Sequence, residues 1–141
     1  LVEDSPSDVG LTRRAFEKSH IVNELIVAED GQEALDYLFK GAPLGGQSMD
    51  DLPAFVLLDL KLPKVDGLQV LRQIRADDRT SRLPVVILTT SSEEDDIAQS
   101  YDLGANSYIR KPVDFKQFMD SVAHLGLYWL VMNESAPPKK R

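Results

Sequence analysis

The chain has 141 residues, 43% of them hydrophobic, enough for one domain with a real core and too few for two. Sixteen basic residues against 23 acidic ones give a formal charge of −7, which argues against a bare nucleic-acid-binding module and suits cation binding better. Cysteine is absent, so disulfides and thiolate metal sites are excluded, and no apolar run approaches the length needed to span a bilayer. No signal peptide is visible, so the expectation is a soluble, cytoplasmic protein.

Leu1-Val2 reads as the tail of an apolar strand ending in two carboxylates, Glu3 and Asp4. Two residues are too few for a complete strand, and with no initiating Met we expect several native residues to precede them. Ser5 can cap a helix that Pro6 starts, because the missing proline N–H is no loss there; this helix should run to about Lys18. Glu24 to Ala28 carries the next strand. Asp30 and Glu33 have the spacing of a capping box for a helix through Phe39. Gly41 to Pro53, with three Gly, two Pro and no periodicity, reads as an enlarged surface loop.

Phe55-Val56-Leu57-Leu58 is a short continuous apolar run, the pattern of a strand buried on both faces of a parallel sheet, and it ends in Asp59. Pro63 and Asp66-Gly67 then turn the chain. Asp66 and Gln69 repeat the capping spacing ahead of the Val70, Leu71, Ile74 stripe of a helix ending near Arg75. Val85 to Leu88 is another doubly buried strand, leading into Thr89-Thr90. Ser91 with Glu94 is expected to open a helix to Asp102, broken by Gly104. Ser107-Tyr108-Ile109 is a short strand ended by Lys111-Pro112, and Asp114 with Gln117 caps the last helix. The alternation predicts an α/β fold, one domain over residues 1–134, with 135–141 a short, basic, disordered tail.

Strand ends therefore carry Glu3 and Asp4, Asp59, Thr89 and Lys111. In an open parallel sheet these carboxyl ends lie along one edge, where ligands bind. Clustered carboxylates repel unless a cation neutralises them, and hard oxygen donors favour Mg²⁺. A carboxylate nucleophile can accept a phosphoryl group, and Lys111 and Thr89 could stabilise the transferring oxygens. These parts make a phosphoryl-acceptor site.

Glu3-Asp4, the run from Asp59 through Lys61, Pro63 and Asp66 to Gly67, Leu88-Thr89-Thr90 and Lys111-Pro112 together resemble the receiver domain of two-component response regulators, over nearly the whole chain. The resemblance implies a flavodoxin-like, doubly wound, five-stranded parallel sheet of order 2-1-3-4-5 flanked by five helices. It implies that Asp59 is the phosphoacceptor, supplied by a sensor histidine kinase. Mg²⁺ would be held by Asp4, by Glu3 through water, by Asp59 and by the backbone carbonyl of Lys61. Thr89 would bond the phosphoryl oxygen and Lys111 would pair with it, with a cis peptide between Lys111 and Pro112. Tyr108 matches the family's aromatic switch, acting with Thr89; the competing reading, less favoured, is a half-buried core tyrosine. The long loop, Thr89-Thr90-Ser91, the run from Tyr108 to Asp114 and the ending Leu125 to Leu130 resemble single-domain regulators paired with bacterial phytochromes. Such a protein would not be an enzyme beyond Mg²⁺-dependent self-phosphorylation and its reversal, and would signal by protein contact, with neither nucleic acid nor membrane as partner.

The competing enzyme reading is a Mg²⁺-dependent aspartyl-phosphate phosphatase of the haloacid-dehalogenase type. That chemistry wants a second acid two residues after the nucleophile, where this chain has Lys61. An FMN carrier is weaker still, since Glu3-Asp4-Ser5-Pro6 stands where a hydroxyl-rich phosphate loop would be. His20 and His124 lack metal-ligand spacing and read as exposed helix residues. From Leu127 to Met132 the last helix is apolar all round, where a surface helix keeps a polar face. We expect a second copy of the chain to cover it through the face of the fourth helix, fifth strand and fifth helix.

Overall fold

The computed structural model describes residues 1–18, 24–40, 52–111, 114–134 and 136–137. In chain order the elements are α1 (Pro6–Lys18), α2 (Gly31–Lys40), β1 (Val56–Leu58), α3 (Gly67–Ala76), β2 (Val85–Thr89), α4 (Glu94–Asp102), β3 (Ser107–Arg110) and α5 (Phe115–Gly126), the last continued by a wider π-helical stretch, Leu127–Met132. The three strands form a parallel ladder in the order β1-β2-β3, with Leu58 opposite Ile87 and Thr89 opposite Arg110. Val2 bridges in parallel to Ala28 on one side and to Leu58 on the other. The five sequence segments thus lie in the order 2-1-3-4-5. The first two join by single bridges rather than ladders, Val2 pairing with Ala28 and with Leu58.

Alternation along the strands divides the core in two. Val56, Leu58, Val85 and Ile87 face Leu35 and Leu38 of α2 and Val70, Leu71 and Ile74 of α3. Leu57, Val86 and Leu88 face Ala15 and Phe16 of α1 and Phe118, Met119, Val122 and Leu125 of α5. A strand with both faces covered must be apolar at every position, which is why β1 and β2 read as unbroken runs.

Helix starts follow the sequence closely, with one exception. Asp66 accepts from the Gln69 amide at 3.0 Å and Asp114 from the Gln117 amide at 3.0 Å. Asp30 accepts from Glu33 at 2.8 Å. Ser91 does not open α4, which begins two residues later than its capping role requires, after Glu93. Its hydroxyl is engaged elsewhere, donating to the Asp96 carboxylate and accepting from the Glu93 amide at 3.3 Å. Phe55 likewise lies outside β1, and its ring stacks on Trp129 with centroids 6.2 Å apart.

The edge opposite the strand carboxyl ends is clamped by Arg75. Its guanidinium donates to the Leu83 carbonyl at 2.7 Å, to the Gly104 carbonyl at 2.8 and 3.0 Å, and to Asn106 Oδ1 at 3.0 Å. The same Asn106 oxygen accepts from the Val85 amide. Gly104 has φ +98°, and a Cβ there would come within 2.8 Å of Arg75 Nε, so both its backbone and its surroundings require glycine. The expected loop over residues 41–53 falls almost wholly outside the described residues, as do His20, the Lys111–Pro112 peptide and most of the basic tail. No helix among the described residues is long and apolar enough to cross a membrane.

An acidic pocket at the strand carboxyl ends

Asp59 follows directly on β1, one residue beyond the Leu58–Ile87 pair. The chain leaves the sheet there in a tight path: the Asp59 Oδ1 atom accepts from the Leu60 amide at 2.7 Å and lies 3.4 Å from the Lys61 amide. The loop that follows contains Lys64 at φ 67°, an uncommon conformation for a residue with a side chain, and the Lys64 ammonium lies 3.4 Å from the Asp30 carboxylate. It ends with the Gly67 amide donating back to the Leu60 carbonyl at 2.8 Å.

Glu3, Asp4 and Asp59 each bring a carboxylate oxygen within 4.8 Å of the others, Glu3 and Asp59 buried and Asp4 exposed. Lys111 reaches into the same pocket. Its backbone amide donates to the Thr89 carbonyl at 2.6 Å, which fixes the root of the side chain. Its Nζ donates to Glu3 Oε2 at 2.7 Å, to Asp8 Oδ2 at 2.7 Å and to Asp59 Oδ2 at 3.2 Å. Asp8 did not stand out in the sequence, where it reads as an ordinary acid in the first turn of a helix. The Glu3 Oε1 atom accepts from the Ser5 amide at 3.2 Å.

Burial pushes the Glu3 carboxyl up to about 7, against the opposing pull of the Lys111 ammonium. Burial alone would lower Lys111. The hydrogen bonds to Asp8 and Glu3, with the charge of Asp59, outweigh it and hold the ammonium above the ordinary lysine range. Three carboxylates close together with a single lysine among them form an oxygen-donor set that fits a hard divalent cation.

Thr89 ends β2 fully buried, with its Oγ1 3.5 Å from the Ser91 amide. Tyr108, on β3, is half-buried and donates its hydroxyl to the Ser91 carbonyl at 2.9 Å. Burial, then the charges of Asp96, Asp59 and Glu93, push its phenol up, and the Ser91 bond offsets part of this. Thr89 and Tyr108 thus meet at one residue, Ser91. His124 is exposed on α5.

A doubly wound parallel sheet with an acidic pocket and a buried lysine at its carboxyl edge defines a receiver-type α/β protein. The model of the response regulator receiver domain matches residues 1–123, and the chain belongs to that family, the receiver domains of two-component response regulators. Among its relatives, the probable methanogenesis regulatory protein FilR2 of Methanothrix harundinacea (strain 6Ac) is 44% identical over 140 residues, spanning 98% of this chain and 86% of FilR2. The response regulator Rcp1 of Synechocystis sp. (strain ATCC 27184 / PCC 6803 / Kazusa) is 39% identical over 130 residues, 92% of this chain and 86% of Rcp1. The Mn²⁺-bound form of Rcp1 superposes with a TM-score of 0.84 at 37% identity, covering 96% of this chain and 95% of that one. The phosphorylated cyanobacterial phytochrome response regulator RcpA superposes with a TM-score of 0.86 at 38% identity, covering 95% and 94%. The haloacid-dehalogenase reading finds no support in these likenesses, and Lys61 remains where its second acid would stand.

Proposed function

We propose that this receiver takes a phosphoryl group from a sensor histidine kinase onto Asp59, in the cytoplasm, and passes the signal on by protein contact. The observation that carries the reading is the placement of Asp59: one carboxylate oxygen held by a backbone amide, the other by Lys111, with Glu3 and Asp4 alongside. Glu3, Asp4, Asp59 and the Lys61 carbonyl are the groups that would hold Mg²⁺. When bound, the ion neutralises the carboxylates and draws charge from the oxygens of the transferring group.

In the transfer, a carboxylate oxygen of Asp59 attacks phosphorus as the bond from phosphorus to the donor breaks. For a phosphohistidine donor the bonding pair leaves with the imidazole nitrogen. Lys111 donates to an oxygen of the phosphoryl group and Thr89 offers its hydroxyl to another. Drawing Thr89 toward the phosphoryl group would disturb Ser91, where the Tyr108 hydroxyl is bonded, and so bias Tyr108 between two positions. Beyond taking and losing this group the chain performs no catalysis. RcpA is described as a phytochrome response regulator, which supports a kinase of the phytochrome class.

Intact mass after incubation with Mg²⁺ and acetyl phosphate tests the acceptor. One phosphoryl adduct is expected, lost in Asp59→Asn and on chelation; an adduct that persists in Asp59→Asn refutes the assignment. We also propose a homodimer through α4, β3 and α5. Phe115, Leu127, Tyr128, Val131 and Met132 stay exposed along the last helix and its extension, while Trp129 turns inward onto Phe55. Light scattering of phosphorylated and unphosphorylated chain tests this, and a monomer in both sinks it.

A further inference from the structure

From the Lys111 contacts we infer that Asp8 is a positioning residue for phosphoryl transfer: it fixes the Lys111 ammonium so that its remaining N–H meets the group arriving on Asp59. The inference rests on Asp59 being the acceptor.

An ammonium has three donors, and here three carboxylates take them. Two of the bonds are short, at 2.7 Å to Glu3 and Asp8, whereas the bond to Asp59 is slack at 3.2 Å. The slack bond is the one an incoming phosphoryl oxygen can replace while the short pair stays in place. Lysine has a long flexible stem, and a cation stabilises a transition state only if it is already aimed when charge develops. Glu3 alone fixes one direction. Asp8, on a different element, supplies the second, and two short charged bonds leave the third N–H a single cone.

Asp8 is itself held. Its amide donates to the Ser5 hydroxyl oxygen at 3.3 Å, and its carbonyl accepts from Thr12 Oγ1 at 2.7 Å, so its backbone is pinned into the first turns of α1. Its side chain remains 27% exposed, against 6% for Lys111 and 3% for Glu3. A carboxylate that served only the helix N-terminus would have no need to turn toward a residue 103 positions away.

The test is phosphorylation of the full chain by acetyl phosphate with Mg²⁺, followed by intact mass, for the native protein, Asp8→Asn, Lys111→Met and the double variant. Asp8→Asn should lower the maximal rate about tenfold, the order expected for one charged hydrogen bond. The half-saturating donor concentration should not rise. Asp8→Ser, which keeps a polar residue in the first turn, should behave alike. The double variant should be no slower than Lys111→Met, because Asp8 acts only through the lysine. Side-chain ¹⁵N relaxation in the metal-free chain should show Lys111 Nζ rigid in the native protein and mobile in Asp8→Asn. A native maximal rate in Asp8→Asn, or a further loss in the double variant, overturns the inference. A native chain that takes no phosphoryl group, or takes it elsewhere than Asp59, overturns the acceptor assignment and this inference with it.

Discussion

Gly67 is where the fold and the site are tied most tightly. A Cβ added there would lie 2.2 Å from the Asp59 carbonyl oxygen and 2.7 Å from the Leu60 Cα. Ordinary contacts need about 3.5 Å, so Gly67→Ala must open a gap of roughly an ångström between α3 and the segment leaving β1. Both atoms in the way are backbone, and no side chain can swing aside to relieve them. Overpacking of this kind costs about 3 kcal/mol, at the upper end of the usual range. For a chain of this size that is a fall of about 10 °C in Tm. The displaced segment includes the Leu60 amide that holds the Asp59 carboxylate, and the Gly67–Leu60 bond that closes the loop. Thermal unfolding followed by circular dichroism, with acetyl phosphate labelling of the folded variant, reads both effects. A Tm within about 2 °C of native, with labelling unchanged, would mean that α3 and the segment leaving β1 accept the methyl group without strain.

Gly10 provides the opposite case: nothing lies within 4 Å of an added Cβ in the middle of α1, so Gly10→Ala should stabilise the chain by about 0.5–1 kcal/mol in a urea titration. Glu3 binds its proton more tightly folded, near 7, than at its ordinary 4.5, so its contribution to stability is complete below 4.5 and is lost as pH rises through 7. The Tm of the metal-free chain should show that loss, and Glu3→Gln should abolish it. Because a cation must displace the same proton, Mg²⁺ affinity measured by calorimetry should weaken as pH falls below 7, by up to about tenfold per unit. Tyr108→Phe removes the bond to the Ser91 carbonyl and should cost about 1 kcal/mol in equilibrium unfolding.

Local physics was readable where local physics decides. Strands covered on both faces carry unbroken apolar runs, and Asp66 and Asp114 cap helices through contacts three residues away, so β1, β2, α3 and α5 could be placed from the chain alone. Ser91 failed as a cap because its hydroxyl serves Asp96 and Glu93, a competition between equally local partners that spacing cannot rank. Asp8 was missed for the opposite reason. Its side-chain bond spans 103 residues, and nothing within α1 distinguishes it from an acid placed for the helix dipole. The apolar run after Leu125 is legible only with its geometry, since in the π-helical stretch Trp129 stacks on Phe55 and Tyr128 lies edge-on to Trp129 at 4.8 Å.

The Arg75 clamp makes the two ends of the sheet unlike in what holds them. A guanidinium keeps its charge throughout the physiological range, and this one joins the end of α3 to the residues that enter β2 and β3. Its acceptors are backbone carbonyls and an amide oxygen, none of which titrates. The carboxyl end is held instead by three carboxylates, of Glu3, Asp8 and Asp59, gathered on the Lys111 ammonium. One end of the sheet is therefore fastened by bonds that pH leaves alone, and the other by groups that a proton or a cation can engage.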